Sequence, residues 1–580
     1  MIGLISATAA GASARDRLAT AWPGRTRVYD GPVRQAAERA FAECEQLVCF
    51  LATGATVRLL APLLADKTTD PGVVCVDEAG RYAVSLLGGH GGGANSLAAE
   101  VASVLAATPV ITTATDATGV PGLDTLGLPV EGAPAAVTRA LLDGTPVTLR
   151  ADAVWPLPPL PPNVTGGGAP DTVTPDTVAP GGATILLTDR VVPLGPTDAV
   201  LRPPSLVVGV GAAKGVSGDE VYDVVRDALR DAGLSVLSVA ELATVDAKAD
   251  EPGIVEAAGR FGVPVRTYPA GVLAGIAVPN PSDAPLAAVG TPSVAEAAAL
   301  AAGRGGELLV QKRKSSPEGR PAMATCAVVR RPPRGRLAVV GLGPGARDLL
   351  TPRATAELRR ASVLVGLDQY VDQIRDLLRP GTRVVESGLG HEEERARTAV
   401  AEAQAGHAVA LIGSGDAGVY AMASPALAEA ADDIEVVGVP GVTAALAAAA
   451  ILGAPLGHDH VSISLSDLHT PWEVIERRVR AAAEADIVVT FYNPRSRGRD
   501  WQLPKALALL AEHRTATTPV GVVRNASRPD GTSHLTTLAR LDPATVDMMT
   551  VVTVGNTATR EIAGRMVTPR GYRWQSEGAR

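Results

Sequence analysis

Leu337-Ala-Val-Val-Gly-Leu-Gly-Pro-Gly345 is the most informative segment of the C-terminal half. Four apolar residues, Leu337 to Val340, run directly into a loop carrying Gly341, Gly343, Pro344 and Gly345. An apolar run that ends in glycines predicts a buried parallel strand presenting its carboxyl end to a ligand. Gly341, Gly343 and Ala346 also satisfy the loose form of a dinucleotide turn, with Asp368 downstream as a ribose ligand. A nicotinamide-dependent reductase is therefore one reading, and two residues oppose it. Pro344 lacks the backbone N–H that a pyrophosphate would use. The next helix is predicted to start at Thr351-Pro352, an N-cap followed by proline at the first helical position. That start lies too far beyond Gly345 for its N-terminus to face a phosphate in this loop.

The strand–helix rhythm continues on both sides of this segment. Downstream, strands are predicted at 362–366, 383–386, 408–412, 434–438, 460–465, 486–492, 519–523 and 550–554. Helices are predicted at 352–361, 369–378, 392–405, 443–452, 472–484 and 502–512. Upstream, residues 1–150 form one α/β unit with a mostly parallel sheet, and 205–330 form a second. Between them, 151–204 reads as a Pro/Gly-rich middle segment and linker, and Pro156, Pro158, Pro159, Pro161 and Pro162 crowd its start. The third unit covers 336–580.

Composition restricts the function. Of 580 residues, 46% are hydrophobic but only 3% aromatic, which predicts Ala, Val and Leu cores of the α/β kind. A net charge of −8 argues against general nucleic-acid binding, which needs a basic face. Cys44, Cys49, Cys75 and Cys326 form no C-x-x-C pair and are expected to be reduced and buried, with no protein-bound metal. The longest apolar tract, 444–457, is broken by Gly453 and Pro455 and is shorter than the ~20 residues of a membrane span. The N-terminus has no basic residue before Arg15, so a cytoplasmic protein is expected.

Two glycine turns in the C-terminal unit carry chemistry. Gly413-Ser-Gly-Asp-Ala-Gly-Val-Tyr420 follows a predicted strand, and its glycines would let a flat ligand lie against bare backbone while Asp416 accepts hydrogen bonds. The plainer alternative is a tight turn with Asp416 as a local cap. Val439-Pro-Gly-Val-Thr-Ala444 is a second such turn, with Thr443 as an alternative helix N-cap. Together with Gly341-Leu-Gly-Pro-Gly345, Ser464-Leu-Ser-Asp-Leu468, Thr470-Pro-Trp472, Tyr492-Asn-Pro494, Arg524-Asn-Ala526 and Val554-Gly-Asn556, these turns resemble the tetrapyrrole methylase family. Within it they are similar to the precorrin-3B C17-methyltransferases.

The resemblance implies two α/β subdomains, about 336–441 and 442–580, with S-adenosylmethionine folded into the cleft between them, and a homodimer. It implies cofactor contacts from Gly343, Pro344, Gly345, Ser414, Gly415, Asp416, Thr443, Ala444, Tyr492, Asn493 and Asn525. A proton must also move during ring contraction, and Asp467, His469 and Tyr492 are the candidate acids or bases. The carboxylates of a tetrapyrrole suit arginine forks, for which Arg495, Arg497 and Arg524 are the candidates, with Arg499 and Arg528 beside them.

The N-terminal half crowds Gly54-Ala-Thr-Val-Arg58, Lys67-Thr-Thr-Asp-Pro71, Val76-Asp-Glu78, Leu87-Gly-Gly-His-Gly-Gly-Gly-Ala-Asn95 and Thr112-Thr-Ala-Thr-Asp116 into a short span. A histidine flanked by glycines has few side chains to satisfy it in a core, so His90 reads as a functional group beside Lys67, Asp70 and Asp116. The alternative is a flexible glycine turn with surface charges. With Val208-Gly-Val-Gly211, Lys214-Gly-Val216, Leu242-Ala-Thr244 and Gly290-Thr-Pro-Ser-Val-Ala-Glu296, these segments resemble the cobalt-precorrin-5A hydrolases. That resemblance implies opening of a δ-lactone and release of acetaldehyde; a non-enzymatic rival is a carrier that only holds the tetrapyrrole. Water attack needs a base and an oxyanion donor: His90 is taken as base and Lys67 or a glycine-loop N–H as donor, with Asp116 beside them. Glu78, Asp116, Lys214 and Glu251 are secondary candidates. The whole chain is thus expected to be a multidomain α/β protein, two small units followed by a two-subdomain methylase fold.

Overall fold

The computed structural model describes residues 1–66, 69–166, 182–430 and 432–572. The chain forms two compact units, Met1–Val154 with Leu160–Pro333, and Trp155–Pro159 with Arg334–Arg580.

The first unit holds three sheets. In the first, strands run in the order Thr26–Val28, Ile2–Ser6, Gln46–Phe50, Gly72–Val76, Tyr82–Leu87 and Thr108–Val110. All pairings are parallel except that between Gly72–Val76 and Tyr82–Leu87. Helix Ala94–Leu105 packs Leu97, Ala98 and Val101 into the core with Leu4, Val48 and Val74. Apolar residues at i, i+1 and i+4 give that helix its buried face.

The segment read as a linker corrects the expected organisation. Ala183–Leu187 and Asp198–Leu201 are strands, and with Val130–Gly132, Val147–Ala151 and Val164–Gly166 they build a second, five-stranded sheet. Ala183–Leu187 pairs in parallel with Val147–Ala151, so this sheet spans the expected boundary at residue 150. The Pro and Gly content masked a short apolar run, Ala183-Thr-Ile-Leu-Leu187, that is buried where it pairs. The third sheet orders Val265–Tyr268, Val239–Val245, Leu206–Ala212, Ala324–Arg330 and Glu307–Lys314. Gly209 in its central strand is required: a Cβ there would stand 1.9 Å from the Ala295 carbonyl.

The second unit opens with an all-parallel sheet ordered Arg383–Ser387, Val363–Leu367, Ala408–Gly413, Arg336–Gly341 and Glu435–Val439. Helices cover both of its faces, so its three inner strands are buried along their whole length rather than alternately, while the edge strands Arg383–Ser387 and Glu435–Val439 carry charged, exposed residues. A mixed sheet follows, ordered His460–Ser464, Val488–Tyr492, Thr550–Val554, Pro519–Arg524 and Thr532–Thr537, packed through Phe491 onto helices Trp472–Glu484 and Gln502–Ala511. Two expectations need adjustment. The helix expected over 369–378 ends at Ile374 and tightens into a 3₁₀ turn, Arg375–Leu377. Thr532–Thr537 was not expected as a strand because its polar composition suits only an edge. All four cysteines are buried and unpaired. Among the described residues no helix is long and apolar enough to cross a membrane.

Candidate functional site

In the second unit, three strand ends of the parallel sheet meet backbone to backbone. Gly343 and Gly415 exchange hydrogen bonds, N to O 3.0 Å one way and 2.8 Å the other. A Cβ on Gly441 would lie 2.1 Å from the Gly415 carbonyl and 2.7 Å from the Gly341 carbonyl. No other residue type fits such contacts, and Gly343 (φ +75°) and Gly415 (φ +66°) also need left-handed backbone. Asp416 closes the arrangement: one carboxylate oxygen accepts from Gly418 N (2.8 Å) and the other from Gly441 N (3.0 Å). The local-cap reading of Asp416 therefore holds, and it is this cap that joins the two turns. Pro344, Asp416 and Thr443 lie on adjoining loops at the carboxyl ends of neighbouring strands, where open α/β sheets bind ligands.

Thr443 departs from its expected local role. Its hydroxyl does not cap helix Ala444–Leu452 but lies 2.6 Å from the Tyr492 hydroxyl, which itself accepts from Ala445 N at 2.8 Å. Tyr492, from the end of strand Val488–Tyr492, thus supplies the cap from across the unit. Burial pushes its phenol up, against the opposing pull of Thr443 and the Ala445 N–H. Tyr420 stacks obliquely on it, ring centroids 5.3 Å apart, and donates to the Ser462 carbonyl at 2.8 Å. Tyr420 is 55% exposed at φ +53°. Asn493 (φ +47°), Asn525 (φ +49°) and Ser527 (φ +62°) are strained in the same way, and such strain gathers at ligand sites.

Asn493 donates to Ser464 Oγ at 3.1 Å, and Arg528 Nε donates to the Pro344 carbonyl at 3.2 Å. Asn525 donates to Asp530, but its buried amide oxygen has no partner among the described residues. That orphaned acceptor, together with bare backbone at Gly343, Gly345 and Gly415, fits a ligand carrying N–H donors, such as the amino groups of S-adenosylmethionine.

The arginine candidates divide. Arg499 is buried and donates to the Leu465 (2.9 Å) and Asn493 (2.5 Å) carbonyls, so it braces the loops instead of facing a substrate. Arg495 donates to the Ala544 carbonyl at 2.7 Å, and Arg524 pairs with Asp547 at 2.7 Å. Arg497 is exposed. Asp467 accepts from Gln502 Nε2 at 2.9 Å, His469 is exposed, and among the described residues no hydrogen bond joins either to Tyr492. Asp368 accepts from its neighbour Gln369 N at 2.6 Å, and the helix after the Gly341 loop starts only at Pro352, so the dinucleotide reading finds no support.

In the first unit, the glycine loop around His90 is not a loose turn. A Cβ on Gly92 would lie 2.8 Å from Gly72 Cα, and Ala94 N and Asn95 N return to the Gly88 and Gly89 carbonyls (3.1 and 2.9 Å). His90 Nε2 lies 2.6 Å from Thr115 Oγ1 and 3.4 Å from Asp116 Oδ2. Asp116 in turn accepts from Asn95 Nδ2 at 2.9 Å and from the Thr113 hydroxyl. The expected neighbours His90 and Asp116 are therefore brought together. Asn95, Thr113 and Thr115 complete the cluster; sequence reasoning quoted them without assigning roles, because short polar residues carry no periodic signal. Lys67 lies outside the described residues. Asp70 accepts from Ala65 N, and Glu78 from the Thr8 hydroxyl at 3.0 Å. Glu251 accepts from Gly215 N (2.7 Å) and Lys248 (2.8 Å) in the separate 206–330 fold, beside exposed Lys214.

Family models match three stretches: tetrapyrrole (corrin/porphyrin) methylases over 336–542, cobalamin synthesis G C-terminus over 206–329, and cobalamin synthesis G N-terminal over 35–116. The chain is 48% identical over 239 residues to the probable cobalt-factor III C(17)-methyltransferase of Salmonella typhimurium, covering 41% of this chain and 99% of that protein. It is 43% identical over 255 residues to the precorrin-3B C(17)-methyltransferase of a Sinorhizobium species, covering 42% of this chain and 99% of that protein. Other curated relatives are longer, and the chain spans 45% and 48% of two of them. Among solved structures, the methyltransferase CobJ shows 39% identity and a TM-score of 0.39, over 40% of this chain and 100% of that one.

Proposed function

The chain belongs to the tetrapyrrole methylase family, and from that premise we propose a bifunctional enzyme of cobalamin (corrin ring) synthesis. Residues 336–580 methylate C17 of precorrin-3B or its cobalt analogue with ring contraction. Residues 1–330 hydrolyse the lactone of cobalt-precorrin-5A and release acetaldehyde, a reading supported by the two cobalamin synthesis G matches. Nothing in those matches favours a mere carrier.

The observation that carries the methylase reading is the meeting of Gly343, Gly415 and Gly441 with Asp416, beside the Thr443–Tyr492 pair. S-adenosylmethionine supplies a methyl group whose sulfonium leaving group departs neutral. The protein's task is then alignment and exclusion of water. Gly343, Pro344, Gly345, Ser414, Gly415, Asp416, Thr443, Ala444, Tyr492, Asn493 and Asn525 hold the donor. Asp416 does so by fixing the two turns, and Asn525 by its free amide oxygen. Burial pushes the Tyr492 phenol up, so it stays protonated and is no base, which leaves Asp467 and His469 as candidate bases for contraction. Arg497, Arg495 and Arg524 ring the loops that receive the carboxylates of the macrocycle.

In the hydrolase half, His90 takes a proton from water, with Asp116 orienting it and Lys67 or a glycine-loop N–H stabilising the oxyanion. The enzyme works in the cytoplasm as a homodimer through its methylase domain, with any cobalt arriving inside the substrate. Fusion raises the local concentration of an oxidisable intermediate.

Incubation with S-adenosylmethionine and metal-free or cobalt-containing substrate, read by mass spectrometry, tests the first activity; absence of a one-methylene gain with either would refute it. The second predicts acetaldehyde from the lactone, abolished in His90→Ala with the fold intact. Light scattering of the full chain tests the dimer.

A further inference from the structure

The carboxamide of Asn95 stands at the centre of a directed hydrogen-bond chain that ends on Asp116, the carboxylate beside His90. Its oxygen accepts from Ser85 Oγ at 2.7 Å, which fixes the orientation of the amide. Its nitrogen then donates to Thr113 Oγ1 (3.0 Å) and to Asp116 Oδ2 (2.9 Å). Thr113 has one hydrogen, and since its oxygen already accepts from Asn95, that hydrogen goes to Asp116 Oδ2. The carboxylate oxygen thus receives two donors and cannot turn away from Nε2 of His90, 3.4 Å off.

The partners of that ring nitrogen determine its tautomer. Thr115 Oγ1, 2.6 Å away, could donate or accept. An ionised carboxylate can only accept, and a lone pair on Nε2 would face it unfavourably. This arrangement favours the proton on Nε2, where Thr115 Oγ1 accepts it and the nearby Asp116 carboxylate attracts it, and so leaves the lone pair on Nδ1.

We infer that Asn95 is a positioning residue of the hydrolase: by clamping Asp116 it holds His90 in the Nε2–H form and makes Nδ1 the basic atom. The inference rests on the hydrolase reading above. In the reaction, Nδ1 takes a proton from water as the water oxygen attacks the lactone carbonyl. The tetrahedral adduct then breaks its ring C–O bond, and the departing oxygen takes that proton back from Nδ1. Asn95 is suited to the task because it is 8% exposed, on the first turn of helix Ala94–Leu105, and its own N–H is tied to Gly89 in the loop that carries His90. Base and clamp therefore belong to one rigid element.

The test uses the full chain labelled with 15N-histidine, the His90 resonances being identified by their loss in His90→Ala. At alkaline pH the wild type is expected to show a protonated Nε2 and an unprotonated Nδ1. Asn95→Ala should convert this into a tautomer mixture and lower kcat for acetaldehyde release about tenfold or more, with KM unchanged. Thr113→Val, which removes one donor to Asp116 without emptying a buried position, should shift the tautomers in the same direction and keeps the test valid if Asn95→Ala does not fold. A wild-type Nδ1–H tautomer, or a ratio unmoved in the folded variants, overturns the inference. Normal turnover in His90→Ala, with the tautomer still responding to Asn95, instead removes the hydrolase role of His90 and leaves the clamp standing.

Discussion

Tyr492 shows how one side chain can be both structural and functional. Its hydroxyl accepts the Ala445 N–H and meets Thr443, so Tyr492→Phe leaves a helix-terminal donor unsatisfied. The expected cost is about 1–3 kcal/mol of stability, measured by urea unfolding. Methyl transfer should fall mainly through a raised KM for S-adenosylmethionine. Thr351 and Thr443 make an instructive pair. Both precede helices, and the sequence suggests an N-cap at each. Thr351 caps as expected, its hydroxyl accepting from Ala354 N at 3.1 Å. Thr443 does not: its hydroxyl meets that of Tyr492, almost fifty residues later, which takes the Ala445 N–H itself.

At the scale of elements, the glycine turns are held by contact and not by flexibility. Gly441→Ala would drive a Cβ to within 2.1 Å of the Gly415 carbonyl, and the loops must part. A loss of about 1–3 kcal/mol is expected, together with loss of S-adenosylmethionine binding in calorimetry. Gly438, three residues earlier, has open space where its Cβ would stand. Gly438→Ala should stay within about 0.5 kcal/mol of the parent. Glycine content alone could not separate these two positions; the parallel pairing that brings Gly341 beside Gly413 does.

At the scale of the molecule, the first unit depends on an ion pair that ties the second sheet to the third. Asp189, 3% exposed, accepts two hydrogen bonds from Arg330, both 2.7 Å, and a third from Ser205. Burial alone would raise its carboxyl, but Arg330 and Ser205 outweigh burial and hold it below the usual range. A depressed folded value stabilises above the unfolded value of ~3.9, and that contribution fades as pH falls through the folded one. Asp189→Ala should therefore cost about 3–5 kcal/mol at neutral pH, with the gap to wild type narrowing below about pH 4 in acid unfolding curves. The two activities should also separate. His90→Ala is expected to leave methyl transfer intact and Gly441→Ala to leave acetaldehyde release intact, as for sites sharing no partner.

Apolar runs closed by glycines were enough to locate most strands of both units, since burial on two faces requires unbroken Val, Leu and Ala. Motif order was enough to suggest the methylase and hydrolase families. Three features needed the tertiary structure. The 183–201 strands are hidden by proline and glycine around them and are placed by pairing, Ala183–Leu187 on Val147–Ala151 and Asp198–Leu201 between Ala183–Leu187 and Val130–Gly132. The tasks of the arginines depend on which carbonyls and carboxylates fold beside them, so Arg499 braces loops while Arg497 stays exposed. The clamp on Asp116 joins residues from a strand, two helices and a glycine loop. Local sequence can set a residue's chemistry, but only the packed chain sets its partners, because hydrogen bonds act over about 3 Å whatever the separation along the chain.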